Sequence, residues 1–172
     1  MIPTKSIEPK ILNVLFLCTG NSARSILAEA LTNDLSVSRG KLKGFSAGSH
    51  PKGAVNPFTL DVLERSGIST AGLRSKSWNE FANPGAPQLD FILTVCDQAA
   101  GEACPFWPGH PVTAHWGMPD PAAVRGSDDA VRKSFLDTLV ALRRRIELFA
   151  GLPFQELDQL AMKQRISEIG GK

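Results

Sequence analysis

Apolar and polar positions alternate along this chain in two distinct rhythms. From Ile11 to Leu17 the sequence reads ILNVLFL, apolar at nearly every position, which predicts a short central strand buried on both faces of a parallel sheet. Between Ser22 and Leu35 the rhythm changes. Ile26, Leu27, Ala30 and Leu31 fall on one stripe at helical spacing, so an amphipathic helix is predicted there. The segment Cys18 to Asn21 then joins a strand to a helix. The same succession predicts a strand over 43–47, a helix over 56–66 closed by Gly67, an extended piece over 71–75, and a second apolar strand over 90–96 (DFILTVC). Pro105, Pro108, Pro111, Pro119 and Pro121 mark an irregular stretch with a short strand at 112–115. A long helix over 127–149, with Phe135, Leu139, Leu142 and Ile146 on one side, and a final helix over 154–168 complete the reading.

Buried strands alternating with helices imply an α/β fold, a three-layer doubly wound sandwich around a central parallel sheet. Sites in such folds lie beyond the carboxyl ends of the strands. Both Cys18 and Cys96 are predicted at such ends. Residues 1–10 are polar, hold two prolines and lack periodicity, so a disordered extension is expected there, followed by one domain over 11–172.

With 172 residues, 42% hydrophobic and 21% charged, one domain with a sizeable core is expected. A net charge of only +2 gives no broad basic surface, which argues against nucleic acid or an anionic membrane as partner. The basic cluster Arg143, Arg144 and Arg145 falls in a helical pattern and reads as a solvated helix face. Neither a secretory leader nor a membrane-spanning apolar run is visible, so a cytoplasmic location is expected. The three cysteines Cys18, Cys96 and Cys104 are too few for a disulfide scaffold and favour catalytic or redox thiols. His50, His110 and His115 lack metal-ligand spacing and read as loop or surface residues, with no metal or tightly bound cofactor expected. Trp78, Phe106, Trp107 and Trp116 are candidates either to rim a pocket or simply to pack.

The chemistry concentrates at Cys18-Thr19-Gly20-Asn21-Ser22-Ala23-Arg24-Ser25, which has the spacing Cys-x5-Arg-Ser. Between a strand and a helix, successive backbone amides of such a loop close around a tetrahedral oxyanion at a helix N-terminus. Gly20 permits a backbone conformation and close approach that a side chain would obstruct. The amides and helix dipole favour the thiolate of Cys18, Ser25 is placed to donate to its sulfur, and Asn21 to brace the loop. Arg24 offers a planar fork matching two oxygens of phosphate, arsenate or sulfate. An ordinary turn holding a buried cysteine is the plain alternative. Displacement at such an anion needs an acid for the departing oxygen, and Asp120, followed by Pro121 in the run HWGMPDP, is the best candidate.

The run VLFLCTGNSARS, the FSAG at 45–48 and the Asp120-Pro121 pair resemble the low molecular weight protein tyrosine phosphatases. Val95-Cys96-Asp97 through Cys104-Pro105, together with His115-Trp116-Gly117, resemble more closely the arsenate reductases of that superfamily. The resemblance spans roughly residues 11–150 and implies Cys18 as nucleophile, Arg24 as oxyanion clamp, Asn21 and Ser25 as loop-ordering and thiolate-stabilising residues, Asp120 as general acid, and Cys96 and Cys104 as redox thiols. Two positions depart from the pattern. Ala23 stands where some relatives carry a further cysteine, and the chain has no tyrosine, so the residues that receive an aryl phosphate in eukaryotic members are missing.

A phosphatase needs one cysteine, whereas a reductase must find two electrons. The resemblance implies that Cys18 attacks arsenate, Cys96 attacks the Cys18 sulfur as arsenite leaves, and Cys104 takes over in a Cys96–Cys104 disulfide that thioredoxin, or glutathione with glutaredoxin, reduces. The polar, small-residue segment 97–103 would rearrange to bring Cys104 close. Two other functions compete: hydrolysis of phosphate monoesters through a Cys18 phosphocysteine, and a non-enzymatic thiol sensor or arsenite binder that uses the three cysteines alone.

Overall fold

The computed structural model describes residues 10–102, 105 and 107–171. Cys104, Phe106 and residues 1–9 of the expected extension lie outside the described residues. Four strands, β1 (Leu12–Cys18), β2 (Leu42–Gly48), β3 (Phe91–Thr94) and β4 (Val112–His115), form one sheet in the order β2-β1-β3-β4, every pair parallel. The register pairs Cys18 with Gly48, Leu17 with Thr94 and Thr94 with His115, so all four strands end at the same edge.

The two sheet faces are covered unequally. Val14 and Phe16 of β1 and Phe91 and Leu93 of β3 face a thick layer made of α1 (Arg24–Thr32), α3 (Pro57–Arg65), α5 (Asp128–Ala150) and α6 (Gln159–Ile169), with Leu27, Leu31, Leu63, Phe135, Leu142, Ile146 and Ile166 fully buried there. Leu15, Leu17 and Ile92 face the other way into a thinner layer. There Phe81 and Trp78 of a 3₁₀ turn (Trp78–Phe81), Leu89 and Trp107 close the core. Alternate residues of one strand thus feed two cores, which is why β1 reads as continuously apolar.

Element ends depart from the sequence reading for local reasons. The first helix opens at Arg24 rather than Ser22 and stops at Thr32. Asn33 turns its amide onto the backbone of Gly44, and Asp34 caps a separate short helix, α2 (Leu35–Ser38), by accepting from Ser36 N–H at 2.9 Å. The extended piece expected at 71–75 is absent. Ala71 and Gly72 form a turn, with Gly72 at a φ of 77°, and the one bridge nearby joins Gly48 to Ser77. The last helix begins at Gln159, where Asp158 caps it, not at 154.

Strand β3 ends at Thr94, two residues short of Cys96. The chain turns there, and Cys96 becomes the N-cap of α4 (Asp97–Gly101), its sulfur accepting from Ala99 N–H at 3.4 Å. The segment expected to rearrange is thus helical from Asp97 through Gly101.

Arg145 corrects another expectation. Instead of a solvated face it lies buried under the sheet edge, donating to the carbonyls of Trp116 and Gly117 at 3.3 and 3.4 Å. Its neighbour Trp116 is itself fully buried, with the indole N–H on Ile166 O at 2.9 Å. Of the aromatic candidates, Trp116 and Trp107 pack in the cores and Trp78 packs against one of them. Among the described residues no helix is long and apolar enough to cross a membrane.

Candidate active site

At the carboxyl edge of the sheet a cavity of about 560 Å³ is lined by residues 18–24, His50, Lys52, Cys96, Asp97, Gln98, Met118, Pro119 and Asp120. It brings together Cys18, Arg24, Asp120 and Cys96, which lie up to a hundred residues apart in sequence. Cys104 lies outside the described residues.

The loop after β1 is held by its carbonyls. Thr19 O accepts from His50 N–H, Gly20 O from Lys52 N–H (both 2.9 Å), and Ser22 O from Asn56 N–H at 3.0 Å and the Thr59 hydroxyl at 2.9 Å. With these carbonyls turned outward, the intervening amides remain available to an anion on the cavity side, ahead of the first turn of α1. Asn21, not Gly20, takes the left-handed conformation, at a φ of 43°. Its side chain compensates by donating to Ser25 Oγ at 2.8 Å and accepting Lys76 N–H at 2.9 Å. The Ser25 hydroxyl thus serves the bracing of the loop, accepting the Asn21 amide.

Two glycines matter here for space. A β-carbon on Gly48 would stand 2.5 Å from Thr19 O and 2.9 Å from Cys18 O, so only glycine lets the end of β2 close against the loop. A β-carbon on Gly20 would meet the Lys52 side chain at 3.1 Å. The role of Gly48 was present in the FSAG run, but its physical reason needed the strand register.

Cys18 and Cys96 are both buried and line the same cavity, and their thiols ionise as a coupled pair. The Cys18 thiol, the Ala99 N–H and the Thr19 hydroxyl, 3.7 Å from the sulfur, hold the Cys96 thiol down to about 5. The Cys96 thiol and burial push the Cys18 thiol up, against the pull of the Arg24 charge and the Gly20 amide. The pull of the loop on Cys18, expected from sequence, is thus opposed within the pair. The physical reason is the second sulfur, which local sequence did not place. Site-resolved alkylation with a small electrophile is expected to label Cys96 increasingly as pH rises through about 5, with Cys18 labelled only under alkaline conditions. Labelling of Cys18 first at neutral pH would show the charge on the other sulfur.

Arg24 starts α1 and reaches across the loop mouth. One Nη donates to Met118 O at 3.0 Å, the other lies 3.8 Å from Asp120 Oδ2, and the buried Nε has no partner among the described residues. A buried N–H without an acceptor costs about 1–3 kcal/mol, so a tetrahedral oxyanion in the loop fits this donor. Asp120 is fixed by capping the 3₁₀ turn Pro121–Ala123, accepting Ala122 N–H at 2.9 Å, with the far oxygen facing Arg24.

Further charged residues support the site without being apparent in sequence. Behind the loop, Lys76 and Glu29 are buried 3.7 Å apart, Lys76 donating also to Arg74 O at 2.9 Å and Ser46 Oγ at 3.4 Å. Burial pushes the Glu29 carboxyl up and the Lys76 amine down. At the flank, α4 is held at both ends. Asp97 accepts from His115 Nε2 at 2.8 Å, and the Glu102 carboxylate accepts the Thr19 hydroxyl at 3.2 Å with His50 at 3.9 Å.

The family model for low molecular weight phosphotyrosine protein phosphatases matches residues 13–162. An arsenate reductase of Halalkalibacterium halodurans is 31% identical over 142 residues, covering 80% of this chain and 94% of that protein. Among solved structures, an arsenate reductase from Archaeoglobus fulgidus aligns with a TM-score of 0.60 at 27% identity over 81% of this chain and 99% of that one. An arsenate reductase in its phosphate-binding state aligns at 0.56 and 25% identity, over 79% and 99% of the two chains.

Proposed function

Since the chain belongs to the low molecular weight phosphotyrosine protein phosphatase family, alongside relatives that are arsenate reductases, we propose that it reduces arsenate to arsenite, with Cys18 as nucleophile and Cys96 and Cys104 as the redox thiols. The observation that carries this reading is a second buried thiol, Cys96, lining the same cavity as Cys18. Hydrolysis of a phosphate monoester needs only Cys18, Arg24 and an acid, whereas reduction needs a second thiol within reach of the adduct.

The steps follow from the placement. An oxyanion held by the loop amides and Arg24 meets Cys18, whose proton passes to Cys96 as its sulfur bonds to arsenic. The arsenic–oxygen bond breaks and Asp120 protonates the departing oxygen, which leaves as water. Cys96 gives its proton to an oxygen of the bound arsenic group, and the thiolate, beside the Thr19 hydroxyl and Ala99 N–H, then attacks the Cys18 sulfur. The sulfur–arsenic electron pair stays on arsenic, taking it from the +5 to the +3 state, and arsenite departs from a Cys18–Cys96 disulfide. Attack by Cys104 on Cys96 frees Cys18 and leaves a Cys96–Cys104 disulfide for an external dithiol. That chemistry suits a reducing compartment, the cytoplasm, with thioredoxin or glutaredoxin as a transient partner.

Arsenite formation by purified protein, with thioredoxin and glutaredoxin systems supplied separately, tests this. Turnover with either supports reduction and identifies the reductant. Aryl phosphate hydrolysis without arsenate turnover would make the chain a phosphatase, and arsenite binding without any turnover would make it a thiol binder. Asp120→Asn is expected to slow the first chemical step by roughly 10²- to 10⁴-fold while phosphate still binds. An unchanged single-turnover rate would assign the acid elsewhere.

A further inference from the structure

The loop that follows β2 is laid along the anion loop by two backbone bonds, from His50 N–H and Lys52 N–H. The second bond sets the Lys52 side chain over Gly20, with its Cγ, Cδ and Cε at 3.4, 3.5 and 3.1 Å from where a β-carbon on that glycine would stand. The stem therefore runs along the anion loop, and the residue lines the cavity mouth. The other fixed cation there, Arg24, is engaged by Met118 O and Asp120, and His50 lies 3.9 Å from the Glu102 carboxylate. Among the described residues no carboxylate lies within ion-pair distance of Lys52 Nζ. Among the described residues the lining also contains no Phe or Trp against which an aryl group would stack.

We propose that Lys52 determines specificity, selecting a small, doubly charged inorganic oxyanion over an aryl phosphate ester. The proposal rests on the reading that the loop binds such an anion. Loop amides and the Arg24 fork suffice for three oxygens of a tetrahedral anion. In inorganic arsenate or phosphate the fourth oxygen faces the mouth as a further acceptor for an ammonium. In an ester that oxygen bridges to carbon, carries no charge and accepts poorly from an ammonium, which still loses water when the ester enters.

Isothermal titration with inorganic phosphate tests this apart from turnover. Lys52→Met is expected to weaken phosphate binding about five- to tenfold at low salt, with the difference shrinking as salt screens an exposed charge. Lys52→Arg should restore most of the affinity. KM for arsenate should rise in parallel, more than kcat falls, while KM for p-nitrophenyl phosphate stays the same or drops. Lys43→Met, which removes an exposed charge on β2, serves as a control for net charge. Unchanged phosphate affinity in Lys52→Met at low salt would overturn the proposal. Equal losses for phosphate and the aryl ester would reduce Lys52 to a general attractor of anions and overturn it as well. Should the wild-type protein fail to turn over arsenate, the proposed reaction falls, and the phosphate and ester affinities still decide the role of Lys52.

Discussion

Cys18→Ser is expected to abolish arsenite formation and any aryl phosphate hydrolysis together, each by at least about 10⁴-fold, the scale on which removal of a nucleophile acts. The loop's shape does not depend on the sulfur. Its carbonyls are held by His50, Lys52, Asn56 and Thr59, and its left-handed residue is held by Ser25 and Lys76. The variant should therefore still fold and bind phosphate, and phosphate titration beside the rate assay separates lost chemistry from a collapsed site. A second consequence is particular to this structure. Cys18→Ala, which leaves no donor there, removes the largest contribution to the low pKa of Cys96, so in that variant its alkylation profile should move to higher pH. Retention of either activity near the wild-type rate would remove Cys18 from the mechanism.

Cys96→Ser should divide the two chemistries. Arsenate turnover is expected to fall at least about 10³-fold, because after the Cys18 adduct forms no second thiol among the described residues lines the cavity to release arsenite. Aryl phosphate hydrolysis, if present, should persist, since the partner that pushes the Cys18 thiol up has been removed and the Arg24 charge still favours its thiolate. Cys104→Ser should release one arsenite equivalent and stop at a Cys18–Cys96 disulfide, detectable by disulfide mapping after thiol blocking. Full arsenate turnover by both variants with thioredoxin alone would refute the shuttle, while turnover only with glutathione and glutaredoxin would indicate attack by an external thiol.

The parts of this picture that sequence revealed are those fixed by local pattern. An apolar run long enough for one strand, followed by Cys-x5-Arg and a helical stripe, located β1, the anion loop and α1 to within two residues at their shared junction. The parallel sheet followed from repetition of that unit. What sequence withheld depends on long-range register. His50 and Lys52 matter because β2 ends beside Cys18, a pairing that no local window contains. Glu29, Lys76 and Arg145 are charged residues in buried positions, and composition rules assign such residues to the surface unless their partners are known. The thiolate was assigned to Cys18 because amides and a helix dipole can be read from a loop, whereas the competing sulfur caps a helix 78 residues on. The continuation of β3 to Cys96 failed for the opposite reason. A short apolar run does not show where its hydrogen bonding ends, and Asp97-Gln98-Ala99-Ala100 starts a helix as readily as it ends a strand.

Helix α4 spans five residues, too few to be stable on its own hydrogen bonds, and its opening amide rests on the Cys96 sulfur. A cap of this kind contributes about 1 kcal/mol, and more when the acceptor carries charge. Once Cys96 bonds to another sulfur, that charge disappears and the acceptor becomes a weak one. The helix would then lose part of its support at the step where the proposed shuttle calls on Cys104. Redox state and secondary structure are coupled through one atom, so the oxidised pair would itself loosen the backbone that carries the next reaction, with no signal needed from elsewhere in the molecule.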